Sequence, residues 1–95
     1  MSFQILTIKS QFPKKFEKLN SLKLKKINKK KLYQTTGINK RYVSSNSEDV
    51  VSLSIQSAKK LITDQIKNQI GFLFFVSQTS PYKFPSVSCI LQDKL

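Results

Sequence analysis

Apolar and polar positions along the chain change their rhythm several times. Phe3 to Ile8 (FQILTI) is a short apolar stretch with β-branched residues, which predicts a strand. Pro13 then interrupts the chain as a turn signal. From Phe16 to Leu32 a Lys-rich pattern holds Leu19, Leu22, Leu24, Ile27 and Leu32 at irregular spacing, and one or two short helices are expected there. Thr35-Thr36-Gly37 breaks the pattern as a turn. Ser44 to Ser47 is a polar loop leading into a helix over Glu48–Ile62, with Asn46 or Ser47 able to cap it. Glu48 and Asp49 sit where the helix dipole favours acids. Val51, Ile55, Ala58 and Ile62 then recur on one helical face, and Lys59 and Lys60 suit its C-terminal end.

Ile70 to Val76 (IGFLFFV) is continuously apolar between polar flanks. Its length and aromatic content predict a strand buried on both faces, in a sheet covered by helices. Ser77 to Lys83 is turn-rich and contains Pro81. Pro85 suits the first turn of a helix, and Val87, Leu91 and Leu95 fall at i, i+4, i+8 on it. The order of strand, helical region, helix, buried strand and helix is an α/β arrangement. A doubly buried strand with one candidate partner implies a sheet, and hence a fold, that these residues do not complete. No internal repeat or low-complexity linker is present.

Length and composition narrow the picture. A domain of 95 residues buries roughly 60–65% of its unfolded surface, and a hydrophobic content of 39% is compatible with a core. The net charge of +12 is placed unevenly. Between Lys9 and Arg41 stand 12 basic side chains against one acid, Glu17, whereas Tyr42 onward carries five against four. That segment is either a positive surface for an acidic partner or a plain solvated face. Arg41 is the one Arg among 17 basic residues, which argues against nucleic acid, whose readers favour the bidentate guanidinium. Neither a helix-turn-helix nor an RNA-reading aromatic motif is visible.

One cysteine, Cys89, excludes an internal disulfide framework, and the lack of any His excludes the usual zinc sets. No signal-peptide pattern opens the chain, and the longest apolar run is too short to span a bilayer, so a cytoplasmic setting with no membrane span is expected.

Two stretches carry a resemblance. Leu32-Tyr33-Gln34-Thr35-Thr36-Gly37-Ile38-Asn39-Lys40-Arg41 is similar to the Thr-Gly-Ile with following basic residues of β-ketoacyl-ACP synthase III proteins. Phe75 to Leu95 resembles that family's strand, loop, Pro-Ser and helix, ending Cys-x-x-Gln-x-x-Leu. The match runs from Tyr33 to Leu95, after a divergent Lys-rich start over residues 1–32. The resemblance implies one partial domain: part of the N-terminal half of a thiolase-like fold, a mixed sheet covered by helices.

It also implies an acyltransferase that condenses an acyl-CoA primer with malonyl-ACP, both as substrates and with no cofactor. The partners implied are acyl carrier protein and, in the full-length family, a second copy as a homodimer. The family's Cys nucleophile, and the His and Asn that polarise the malonyl thioester, have no counterpart here, so the chain itself is expected to be inactive with no catalytic residue. Cys89 matches a different family cysteine, read as a packing thiol close to Val87 and Ile90.

Three substrate-binding positions are implied by the resemblance. Thr36 matches a threonine near the CoA channel entrance, or is a turn hydroxyl competing for backbone bonds. Arg41 matches a basic position that could meet a CoA phosphate or the acidic carrier protein, or is a solvated charge. Phe84 falls where the family shapes the primer pocket across the dimer, or packs as an aromatic before Pro85. The family's Trp and Arg before Thr-Gly-Ile are replaced here by Lys31 and Thr35. A small basic module binding an acidic protein or nucleic acid is the alternative reading.

Overall fold

The computed structural model describes residues 2–21 and 27–95 and divides them between two compact units. One unit comprises residues 12–47; the other comprises 1–11 with 48–95.

The smaller unit is built on an antiparallel ribbon. Strand β1 (Lys15–Lys18) pairs with β2 (Lys40–Val43) in the register Lys15↔Val43, Phe16↔Tyr42, Glu17↔Arg41 and Lys18↔Lys40. The pairing runs one step further, Leu19 N–H donating to Asn39 O at 2.6 Å. A short 3-10 turn, Leu19–Ser21, follows β1 and buries Leu19. Helix α1 (Lys29–Thr36) starts at Asn28, whose side chain accepts from Lys31 N–H at 3.2 Å. It stops at Gly37, whose φ of 69° is the left-handed conformation that favours glycine, and whose N–H donates to Tyr33 O at 2.7 Å. Thr35 and Thr36 therefore close the helix, and the expected break falls on the glycine. The ribbon replaces the expected helix only at Phe16–Lys18, whereas α1 begins within the helical region expected as far as Leu32 and runs past it to Thr36. Cross-strand pairing of Phe16 with Tyr42 outweighs the helical preference of the surrounding lysines. Leu22 and Leu24 of that reading lie outside the described residues.

The larger unit follows the helical expectations more closely. Helix α2 (Val50–Leu61) is capped by Asp49, two to three residues beyond the Asn46 or Ser47 cap expected. Ser52 N–H donates to Asp49 Oδ1 at 2.7 Å, and Asp49 N–H donates to Ser52 Oγ at 2.9 Å. This reciprocal box, with Ser in place of the usual Glu, satisfies two otherwise orphaned donors and fixes the start at Val50. Lys59 and Lys60 occupy the last turn. A single turn, α3 (Asp64–Lys67), follows, and the last helix is α4 (Val87–Lys94), whose N-cap is Ser86, so that Pro85 stands just before the cap and not in the first turn as expected.

Val51 of α2 and Val87 and Leu91 of α4 form the buried cluster, with Val50, Ile55, Leu73, Phe75, Ile90 and Leu95 packed around it. Each buried aliphatic contributes about 1.5–3 kcal/mol. The i, i+4 stripe on α4 is thus the face that meets α2. Residues 9 and 10 are tied to α2 through their carbonyls: Ser57 Oγ donates to Lys9 O at 3.3 Å and Lys60 Nζ to Ser10 O at 3.0 Å.

Both strands expected from the apolar runs are absent from the sheet. Phe3, Ile5, Leu6 and Ile8 are exposed and pair with nothing in a ladder. Ile70 to Val76 is likewise unpaired, and it is not buried on both faces. Leu73 and Phe75 lie against the α2–α4 cluster, while Phe72, Phe74 and Val76 are 85%, 87% and 94% exposed. The alternation is that of a strand covered on one side only. Among the described residues, no second strand of this unit pairs with it, so its backbone edges and one apolar face stay open.

An open edge with an aromatic face and no charge between Asn68 and Tyr82 favours self-association. The purified chain is expected to elute as progressively larger species when its concentration rises. Phe74→Lys, which places a charge on the open face, should return it toward the monomer in size-exclusion chromatography with light scattering.

Candidate functional site

Residues expected from the sequence to contact a substrate fall in both units. Thr36 and Arg41 come together in the smaller one, beside a cleft of about 190 Å³ floored by Leu19, Leu32 and Ile38. The last turn of α1 supplies Thr36, and β2 supplies Arg41, with the Gly37 reversal bringing the chain from one to the other.

The Thr36 hydroxyl is locally engaged. Its Oγ1 donates to Leu32 O at 2.8 Å and accepts from Ile38 N–H at 3.2 Å. This is the backbone-competing role open to a threonine at a helix end. A hydroxyl has one proton and two acceptor sites, so one acceptor site remains for a visitor. Thr35 spends its proton in the same way, on Lys31 O at 2.9 Å.

Arg41 is not an unpaired solvated charge. Its Nη2 and Nε reach Glu17 Oε2 at 3.2 and 3.4 Å, across the register pair of the ribbon. Both nitrogens converge on one oxygen rather than forming the fork-to-fork pair, and Arg41 is 65% exposed. Such a pair contributes about 0–1 kcal/mol. The guanidinium thus keeps donors for another acceptor at little energetic cost. The cleft is smaller than the roughly 300–1,000 Å³ of pockets that enclose a small molecule, so it admits only one end of an elongated ligand.

Phe84 lies in the larger unit at 89% exposure, before a cis Phe84–Pro85 bond. It does not pack as an aromatic before proline. It lies in the run of bends at Lys83, Phe84 and Pro85, and the side chains packed on the α2–α4 cluster include Leu73 and Phe75 but not Phe84.

Cys89 also departs from expectation. It is exposed rather than packed, and its Sγ accepts from Ser86 Oγ at 3.2 Å. Helical geometry gives the reason: two residues at about 100° each place Cys89 roughly 200° from Val87, opposite the stripe that meets α2. It borders an open depression of about 500 Å³ together with Ile62, Lys67, Phe72 and Gln92. With no His in the sequence, no imidazole stands by to activate the thiol. Among the described residues, no three His, Cys, Asp or Glu stand close enough to hold a metal ion, and no helix is long and apolar enough to cross a membrane.

One grouping was missed in the linear pattern. Phe16 and Tyr42 meet edge to face across the ribbon, Phe12 lies tilted against Tyr42, and Lys40 lies over two of the rings. The matching alternations Phe16-x-Lys18 and Lys40-x-Tyr42 were the available signal.

Comparison with known proteins adds one relation. A β-ketoacyl-[acyl-carrier-protein] synthase III of Ehrlichia chaffeensis is 32% identical over 94 residues, which are 96% of this chain and 30% of that protein. The chain thus spans about a third of the length of the curated relative it matches. No family profile and no solved structure matches it.

The exposed thiol is open to direct measurement. Cys89 in the folded chain should react with Ellman's reagent as fast as it does in denaturant, within about tenfold, because no unfolding step has to precede attack. Strong protection that denaturant removes would place the thiol in the core.

Proposed function

We propose that these residues are the N-terminal portion of a condensing enzyme of the β-ketoacyl-ACP synthase III kind, acting in fatty acid or related acyl-chain synthesis. The observation carrying this reading is the 32% identity sustained along 96% of the chain. The Thr-Gly-Ile stretch and the Pro-Ser helix, read in the sequence as family features, lie within that span. In the complete enzyme an acyl-CoA primer would pass its acyl group to a cysteine, and malonyl-ACP would then condense with release of carbon dioxide.

Within that reading the fold is the start of a thiolase-like half. The one-sided segment at Ile70–Val76 fits a sheet strand whose neighbours come from elsewhere in such an enzyme, since Leu73 and Phe75 already have helices beneath them. The roles open to this segment's own residues are binding roles. Arg41 offers spare guanidinium donors to a phosphate of the primer donor, and Thr36 offers one acceptor site to an amide N–H. Phe84 offers an uncovered ring to a primer pocket. The chemistry lies outside these residues, because there is no His and Cys89 has no base.

Two experiments separate the possibilities. Residues 1–95 alone, given acyl-CoA and malonyl-ACP, should release no carbon dioxide above the enzyme-free rate; measurable turnover would sink the reading. Conversely, residues 1–95 exchanged for the matching segment of the Ehrlichia chaffeensis synthase should give an active chimera. In that chimera Arg41→Gln should raise KM for the acyl-CoA by roughly tenfold, the cost of one charge-assisted hydrogen bond, with kcat little changed. A folded but inactive chimera would remove the support for a condensing enzyme.

A further inference from the structure

The open face of the β1–β2 ribbon has a chemistry that acyl transfer does not call on. Residues alternate across a ribbon, so Phe16, Lys18, Lys40 and Tyr42 share one face while Glu17 and Arg41 take the other. Phe12 extends the aromatic row. Its ring centroid is 5.1 Å from that of Tyr42, which is 6.1 Å from that of Phe16. These three rings, Phe12, Tyr42 and Phe16, remain 60%, 42% and 45% exposed. The Lys40 ammonium is held over two of them, 4.7 Å from the Phe16 centroid and 5.4 Å from that of Tyr42.

The charges on this face are unbalanced. Lys18 and Lys40 stand directly opposite one another in the register, a like-charge juxtaposition that disfavours the ribbon. Glu17 is the sole acid among residues 12–47, and it is engaged by Arg41 on the reverse face. A bound anion would therefore relieve the Lys18–Lys40 repulsion. An aromatic row beside two uncompensated ammonium groups matches a ligand with flat rings and regularly spaced negative charges.

We propose that this face binds single-stranded nucleic acid, with bases stacked on Phe12, Tyr42 and Phe16 and phosphates at Lys18 and Lys40. The scarcity of Arg, which argues against base-edge readout, does not count against stacking. Every base has a π face, and lysine neutralises a phosphate as a point charge. The one guanidinium points away from the platform, so binding is indifferent to sequence. This site stands apart from the acyl-transfer reading and does not rest on it.

Fluorescence anisotropy of the full chain with a labelled oligothymidylate of about twelve nucleotides, within the roughly 4–16 that such sites cover, tests the assignment. The single strand is expected to bind more tightly than a duplex of equal length. Phe12→Ala and Tyr42→Ala should each weaken it by at least about fivefold, the lower bound for losing one stacked base, while Tyr42→Phe binds as the parent. Lys40→Gln should lower the dependence of log K on log salt by about 0.7, the contribution of one phosphate on a single strand. Phe12 lies outside both strands, so its variant reads stacking even if Tyr42→Ala disrupts the ribbon. Equal binding of duplex, or of polyglutamate, would overturn the assignment and leave a generic acidic-partner surface. So would unchanged affinity in Phe12→Ala.

Discussion

The contact of Val87 and Leu91 with Val51 is the constraint from which the larger unit takes its shape. Those three side chains are its buried hydrophobics among the described residues. With so little apolar material enclosed, each neighbouring segment is oriented by whichever face reaches that cluster. The α4 stripe sets the helix's rotation and so turns Cys89 outward. The same cluster takes Leu73 and Phe75, and because side chains alternate along an extended chain, Phe72, Phe74 and Val76 must then point away. A shift of one residue would exchange the two sets.

Legibility in the sequence tracked the range of the forces involved. Helices α2 and α4 were readable because their determinants are local. Acids and small polar residues precede Val50, lysines end α2, and Val87 and Leu91 are one turn apart. The break in the pattern at Thr35-Thr36-Gly37 was readable for the same reason. Apolar content alone cannot say what lies beside a strand. Phe3–Ile8 and Ile70–Val76 have strand composition, yet no ladder partner among the described residues. The real strands, KFEK and KRYV, escaped notice because each carries two or more charges in four residues and no continuous apolar run. Their pairing depends on contacts between positions 22 to 28 residues apart, which no short window contains.

The candidate site divides in the same way. Of the two roles open to Thr36, only its bonding to nearby backbone is legible in the sequence, since that behaviour is set within four residues, and the residue ends a helix where a turn is expected. The partner of Arg41 was out of reach of local reasoning because Glu17 is brought to it by the ribbon register. Cys89 escapes a linear reading because closeness to Val87 and Ile90 in sequence is not closeness to the core; angular position around the helix decides it. The aromatic face of the ribbon is a product of pairing alone. Its residues become neighbours only once β1 and β2 meet.

The tie between residues 9–10 and α2 has a consequence for how this chain can vary. Both hydrogen bonds end on main-chain carbonyls, with Ser57 and Lys60 as their donors. A carbonyl is common to every amino acid, so the tether recognises the path of the backbone and is blind to what that backbone displays. Drift at positions 9 and 10 should therefore be nearly neutral, while drift at 57 and 60 should not. The opening arm can change its character without losing its mooring, and natural variation ought to concentrate on the tethered side rather than on the helix that holds it.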